Sequence, residues 1–188
     1  MVLREELSEG VVAITLNRPE SLNALSPALF SELNQIVTEL SKQTDSVGCV
    51  ILRGAGRCFS AGNDLKAVRS GVKAKEKFFQ AKTIDLVEKL PQPTIASVHG
   101  HCLTGALELA IACDLMITSE SANLADTHGK WGMVPGWGMS VRLPRRVGLL
   151  KAKEMMFTGM SINGLQAVEI GLSSQCVADD HLKVSTLD

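Results

Sequence analysis

Short apolar, β-branched runs alternate along this chain with stretches whose apolar residues recur at helical spacing. The runs Val11 to Leu16, Cys49 to Arg53, Thr94 to Val98, Leu115 to Thr118 and Ser174 to Val177 predict strands. Between them, Leu29, Leu33, Ile36, Val37 and Leu40 predict a helix over Pro27 to Ser41, with Ser26 as its N-cap ahead of a first-turn proline. Ile84, Val87 and Leu90 predict another over Phe78 to Leu90, which Pro91 stops. Leu149 to Thr158 predicts a third, ending at Gly159, and Asn163 can cap a fourth that runs to Ile170. Such alternation predicts an α/β fold with crossover connections, in one domain covering residues 1–188. Arg69 to Lys77 is basic and weakly apolar, and is expected to form a mobile surface stretch between elements.

One position breaks the pattern. Glu108 lies inside Thr104-Gly105-Ala106-Leu107-Glu108-Leu109-Ala110-Ile111-Ala112, a helical run that is otherwise apolar. A helix apolar all round is usually buried, and a buried carboxylate needs a partner. The run follows the strand Thr94 to Val98 through the turn at Gly100. Gly105 falls in the first helical turn, where amides lack intrahelical acceptors and favour negative charge. Glu108 is therefore a candidate catalytic carboxylate behind an oxyanion-binding turn. The alternative is a carboxylate that balances the N-terminus of its own helix.

Composition narrows the classes. The chain has 188 residues, 45% hydrophobic and 21% charged, with a net charge of -1, which describes an ordinary globular protein. Without a sustained Lys/Arg tract, nucleic acid is not the expected partner. No apolar run reaches the length that spans a bilayer, and the acidic start, Arg4-Glu5-Glu6, does not suit a targeting peptide. A cytoplasmic protein is expected. The five cysteines are scattered with no Cys-x-x-Cys pair, which indicates neither a disulfide framework nor a zinc site. No His, Cys and carboxylate spacing implies a metal.

Two further segments could carry chemistry. Cys58-Phe59-Ser60-Ala61-Gly62-Asn63-Asp64-Leu65-Lys66 follows a predicted strand, and its small residues let backbone amides form an anion-binding concavity. The alternative is a plain strand-to-helix turn with Asp64 as N-cap. The stretch Asn123 to Gly138 is glycine-rich, holds both tryptophans and places Asp126 two residues before His128. His128 has an intrinsic pKa suited to proton transfer, although a lone histidine is commonly structural. His99, His101 and His181 lack such a setting.

Together these segments resemble the crotonase, or enoyl-CoA hydratase/isomerase, superfamily. The likeness covers essentially the whole chain. It begins with Ile14-Thr15-Leu16-Asn17-Arg18-Pro19-Glu20 and Leu22-Asn23-Ala24-Leu25, and continues through Phe59 to Leu65. It then takes in Pro93 to Ala96, Gly105 to Asp114, Gly132-Met133-Val134-Pro135, Arg142-Leu143-Pro144 and Leu165 to Leu172. The resemblance implies a spiral of repeated ββα units that binds an acyl-coenzyme A thioester, with coenzyme A as part of the substrate and no separate cofactor. It implies an oxyanion hole at the amides of Asn63 and Gly105, and coenzyme or substrate contacts at Ala61, Asp64 and Lys66. It implies that Glu108 is one of two catalytic glutamates and that the protein forms a trimer or hexamer.

Two departures qualify the resemblance. Counted back from Gly132-Met133-Val134-Pro135, the place of the second glutamate is held by His128, which weighs more against a double-bond isomerase than against a hydratase. The family's helical C-terminal extension has no counterpart in the sequence. The expected function is an acyl-CoA lyase of the hydratase type, with Glu108 activating water and His128 exchanging a proton with the α-carbon. The alternatives are a non-catalytic acyl-CoA-binding paralogue and a decarboxylase or thioester hydrolase that uses the same hole.

Overall fold

The structure, a computed structural model, describes residues 1–71 and 75–188. Its elements are β1 (Val2–Ser8), β2 (Val11–Leu16), α1 (Pro27–Leu40), β3 (Cys49–Gly54), α2 (Leu65–Arg69), α3 (Phe79–Glu88), β4 (Thr94–Val98), β5 (His101–Leu103) and α4 (Gly105–Ala110). They continue with β6 (Leu115–Ser119), β7 (Asn123–Ala125), α5 (Met139–Val147), α6 (Leu149–Thr158), β8 (Ser161–Asn163), α7 (Gly164–Glu169), β9 (Gln175–Val177) and α8 (Leu182–Ser185). The five strands and four helices expected from the pattern are all present, with ends shifted by no more than two residues. The surface stretch expected over Arg69 to Lys77 includes residues 72–74, which lie outside the described residues.

Two sheets organise the chain. Strands β1-β2-β3-β4-β6-β9 form the larger one, with β1 antiparallel at the edge and the rest parallel. The smaller sheet is β5-β7-β8. Isolated bridges Ser60↔Cys102 and Leu25↔Asn63 continue its direction toward α1. Each circuit of the chain thus contributes a strand to the large sheet, a short strand or bridge to the small one, and usually a helix. This is the spiral of ββα units implied by the resemblance.

Side-chain alternation explains the core. Val12, Ile14 and Leu16 pair in register with Val50, Leu52 and Gly54, and Leu52 with Ala96. This face joins α1's Leu29, Phe30, Leu33, Val37 and Leu40 and α4's Leu107 and Leu109 in one continuous cluster. Each fully buried Leu or Phe contributes about 1.5–3 kcal/mol by leaving water. Helix α1 starts as expected, with Ser26 Oγ accepting from the Leu29 amide at 3.2 Å. Helix α7 opens with a capping box between Asn163 and Gln166.

Four strands escape the sequence pattern. Most of β1 is exposed at the sheet edge, so its residues do not alternate in the required way. Strands β5, β7 and β8 have three residues each, too few to show a period.

The topology positions the site. Adjacent parallel strands β3, β4 and β6 end at Gly54, Val98 and Ser119. The three candidate segments follow those carboxyl ends, where open α/β sheets bind ligands.

Candidate active site

The turn carrying Asn63 is built from buried polar contacts. Asn23 is fully buried with φ 53°, and its Nδ2 donates to the carbonyls of Ala55, Cys58 and Phe59 at 2.8, 2.8 and 3.1 Å. Asn tolerates this left-handed backbone better than most residues. Ser60 Oγ donates to the Asn23 carbonyl at 2.8 Å and accepts from the Gly62 amide at 3.1 Å. Gly62 has φ 95°, and a Cβ there would lie 2.5 Å from the Leu103 carbonyl oxygen and 2.3 Å from Thr104 Oγ1. Only glycine lets the Asn63 turn press against the Gly105 turn. Main-chain bonds from Phe59 to His99 and from Ser60 to His101, 2.7 and 2.9 Å, fix the two turns side by side.

The Gly105 turn is sharp. Thr104 stands at φ 50°, ψ −114°, a costly conformation for a β-branched residue. Its amide is held by the Ala125 carbonyl of β7 at 2.8 Å. Among the described residues, neither the Asn63 nor the Gly105 amide has a protein acceptor. Both residues line one cavity of about 580 Å³, together with Ala61, Glu108, His128 and Trp137.

Every residue of α4 is buried, and Glu108 is 1% exposed. Its partners are not those expected for its own helix N-terminus. Oε1 accepts from the amides of Trp137 and Met139 at 2.7 and 3.0 Å, so Glu108 serves the opening turn of α5. Oε2 is buried with no hydrogen-bond partner and lies 3.7 Å from His128 Nε2, too far for a direct hydrogen bond. Burial raises the Glu108 carboxyl above its ordinary 4.5, against the two amides and the imidazole, which lower it.

His128 opens a short 3-10 turn, His128–Trp131. Its amide and its Nδ1 both bond Asp126 Oδ1, at 3.2 and 2.5 Å. Asp126 is fully buried and its Oδ2 has no partner. With the carboxylate ionised, Nδ1 is the donor and Nε2 faces Glu108. Burial pulls the imidazole pKa down, but the Asp126 hydrogen bond and the Asp126 and Glu108 charges outweigh it, and the net shift is upward from 6.5.

The other expected contacts fall elsewhere. Asp64 caps α2, accepting from the Lys66 and Ala67 amides at 3.1 Å each, and takes Arg18 Nη1 at 2.8 Å. Neither Asp64 nor Lys66 lines the cavity with Glu108. Both line an adjoining one of about 330 Å³ with Arg18 and Arg57. The N-cap alternative for Asp64 is therefore present in the structure. His99 bonds the Gly56 carbonyl at 2.8 Å, while His101 and His181 are exposed.

Sequence reasoning noted Asp126 beside His128 without giving it a role, and missed Trp137. Asp126 had a legible signal, because an Asp two residues before a histidine can form an Asx-turn to its amide. Trp137 had none. Its indole lies against Gly105, where a Cβ would come 2.3 Å from Cζ3, so Gly105 is glycine to admit the ring. Among the described residues, no group of three or more His, Cys, Asp or Glu could hold a metal ion, and no helix is long and apolar enough to cross a membrane.

Comparison with known proteins supports the family and the fold. The family model described as enoyl-CoA hydratase/isomerase covers residues 6–188. The crystal structure of enoyl-CoA hydratase from Bacillus anthracis superposes with a TM-score of 0.92 at 37% identity, over 99% of this chain and 73% of that one. A monofunctional enoyl-CoA isomerase from M. smegmatis gives 0.85 at 34% identity, over 99% and 81%. An enoyl-CoA isomerase/hydratase of Mycosarcoma maydis is 40% identical over 174 residues, 87% of this chain and 64% of the relative. The chain thus spans about two thirds of the length of the curated relatives it matches. The match over nearly the whole chain places it in the enoyl-CoA hydratase/isomerase family.

Proposed function

We propose that the protein adds water across the double bond of an enoyl-CoA thioester. The observation that carries this reading is Glu108: one carboxylate oxygen is anchored by two amides and the other is bare, 3.7 Å from His128 Nε2. The thioester oxygen sits at the Asn63 and Gly105 amides, which lower the energy of the enolate. Glu108 Oε2 takes a proton from water as the oxygen bonds the β-carbon, and the π electrons move toward the thioester oxygen. His128 Nε2 then gives its proton to the α-carbon. Both groups are reset by proton exchange across the gap between them, since product formation leaves Glu108 protonated and His128 neutral. Asp126 accepts the Nδ1–H bond and favours the imidazolium, whose Nε2 proton this step uses.

Purified protein is expected to consume crotonyl-CoA, with loss of the absorbance of the conjugated enoyl thioester and formation of the 3-hydroxyacyl product by mass spectrometry. Full activity in Glu108→Gln would sink the assigned mechanism. Tight thioester binding without turnover of any enoyl, hydroxyacyl or malonyl thioester would instead make the chain an acyl-CoA-binding protein.

A further inference from the structure

Trp137 is held at the cavity wall on its backbone and on its ring. Its amide donates to Glu108 Oε1 at 2.7 Å, and its carbonyl accepts from Arg142 Nη1 at 2.8 Å. Arg142 is itself buried and anchored to Asp85 and Glu88 of α3 at 2.6 and 2.7 Å. The ring lies over Gly105, so close that a Cβ there would come within 2.8 Å of both Cζ3 and Cε3. It also meets Phe30 edge-on, with centroids 5.0 Å apart and planes at 77°. Phe30 is fully buried. A ring clamped in this way cannot swing aside without breaking packed contacts. By contrast, Trp131 lines the same cavity but is 60% exposed.

Gly105 and Glu108 are three residues apart on α4, which puts them on one face of the helix. In the function proposed above, the Gly105 amide holds the thioester oxygen and Glu108 Oε2 reaches the water at the β-carbon. Trp137 touches both residues. We infer that its indole determines acyl-chain length: the ring is the wall the chain meets beyond the β-carbon, and the site favours short straight-chain thioesters. The inference rests on the acyl-thioester reading of the site.

Butyryl-CoA and decanoyl-CoA are saturated and undergo no hydration, so their affinities test the wall apart from the chemistry. Calorimetry on the wild type, Trp137→Phe and Trp137→Ala is expected to show about tenfold or greater preference for butyryl-CoA in the wild type. The ratio should move at least about tenfold toward decanoyl-CoA in Trp137→Ala, with Trp137→Phe between them. The ratio within one protein is unaffected by a loss of folded fraction. A wild-type protein that binds both equally, or a ratio unmoved in Trp137→Ala, overturns the inference. The expected ratios without crotonyl-CoA hydration would sustain the chain-length role while defeating the hydratase reading. Hydration with no discrimination would do the opposite, and binding of neither thioester would remove both.

Discussion

Two strand-to-helix turns lie side by side in this protein, and each carries a carboxylate near a helix N-terminus. Asp64 follows β3 and caps its own helix, with both amides of the first turn on one oxygen and Arg18 on the other. Burial alone would raise its carboxyl, yet Arg18 and the amides outweigh it and hold it below 3.8. Glu108 follows β4 and ignores its own helix. One oxygen is satisfied by α5 and the other is bare, so burial wins and its carboxyl rises above 4.5. The lesson lies in the unmatched oxygen. A carboxylate satisfied on both oxygens is a structural part, while one held by a single oxygen beside an imidazole is oriented and still basic.

The comparison breaks most directly through activity. Glu108→Gln is expected to lower crotonyl-CoA hydration by about 10²–10⁴-fold, while its amide oxygen still accepts from Trp137 and Met139 and keeps the melting temperature close to that of the wild type. Asp64→Asn should stay within about tenfold of wild-type hydration, because it touches no reacting atom. Equal losses in the two variants, measured under the same assay, would erase the distinction.

Asp126→Asn comes next, with a loss of about ten- to a hundredfold in hydration and a displaced pH profile. The proposed mechanism needs Glu108 ionised and His128 protonated, so the rate should fall as pH drops through the raised Glu108 value and as pH rises through the raised His128 value. In the variant the Asp126 charge no longer raises the imidazole, while burial still lowers it. The alkaline limb should therefore move to lower pH. An unmoved limb in a pH–rate series would show that Asp126 only packs.

Asp64→Ala gives the smallest effect, a stability loss of about 1–2 kcal/mol by urea denaturation, from a missing cap. A carboxylate whose folded pKa lies below its unfolded value stabilises above the unfolded value, and loses that contribution as pH falls through the folded one. The gap between variant and wild type should therefore be full above pH 3.8 and narrow as pH falls below it. A gap that persists in strong acid would mean that the cap does not depend on charge.

The long elements were legible because each carries its own period. Val11–Leu16 and Thr94–Val98 are apolar runs that the parallel sheet buries, and α1 repeats its apolar face over 14 residues. The small sheet was not legible, since its three-residue strands are defined by neighbours far along the chain. Glu108 and His128 stood out as polar residues in settings that do not favour them. Their mutual distance could not be read, because residues 20 apart in sequence meet through the pairing of β4 with β6 and of β5 with β7.

The sequence by itself determined the α/β alternation, the helix caps at Ser26 and Asn163, and the presence of a carboxylate in an apolar helix. These depend on contacts within a few residues, where period and turn chemistry act. Tertiary structure alone decided how each carboxylate is held. Whether Glu108 or Asp64 keeps a bare oxygen depends on α5 and on Arg18, which reach them from distant parts of the chain. A pKa follows from burial and neighbouring charge, and both are properties of the assembled fold.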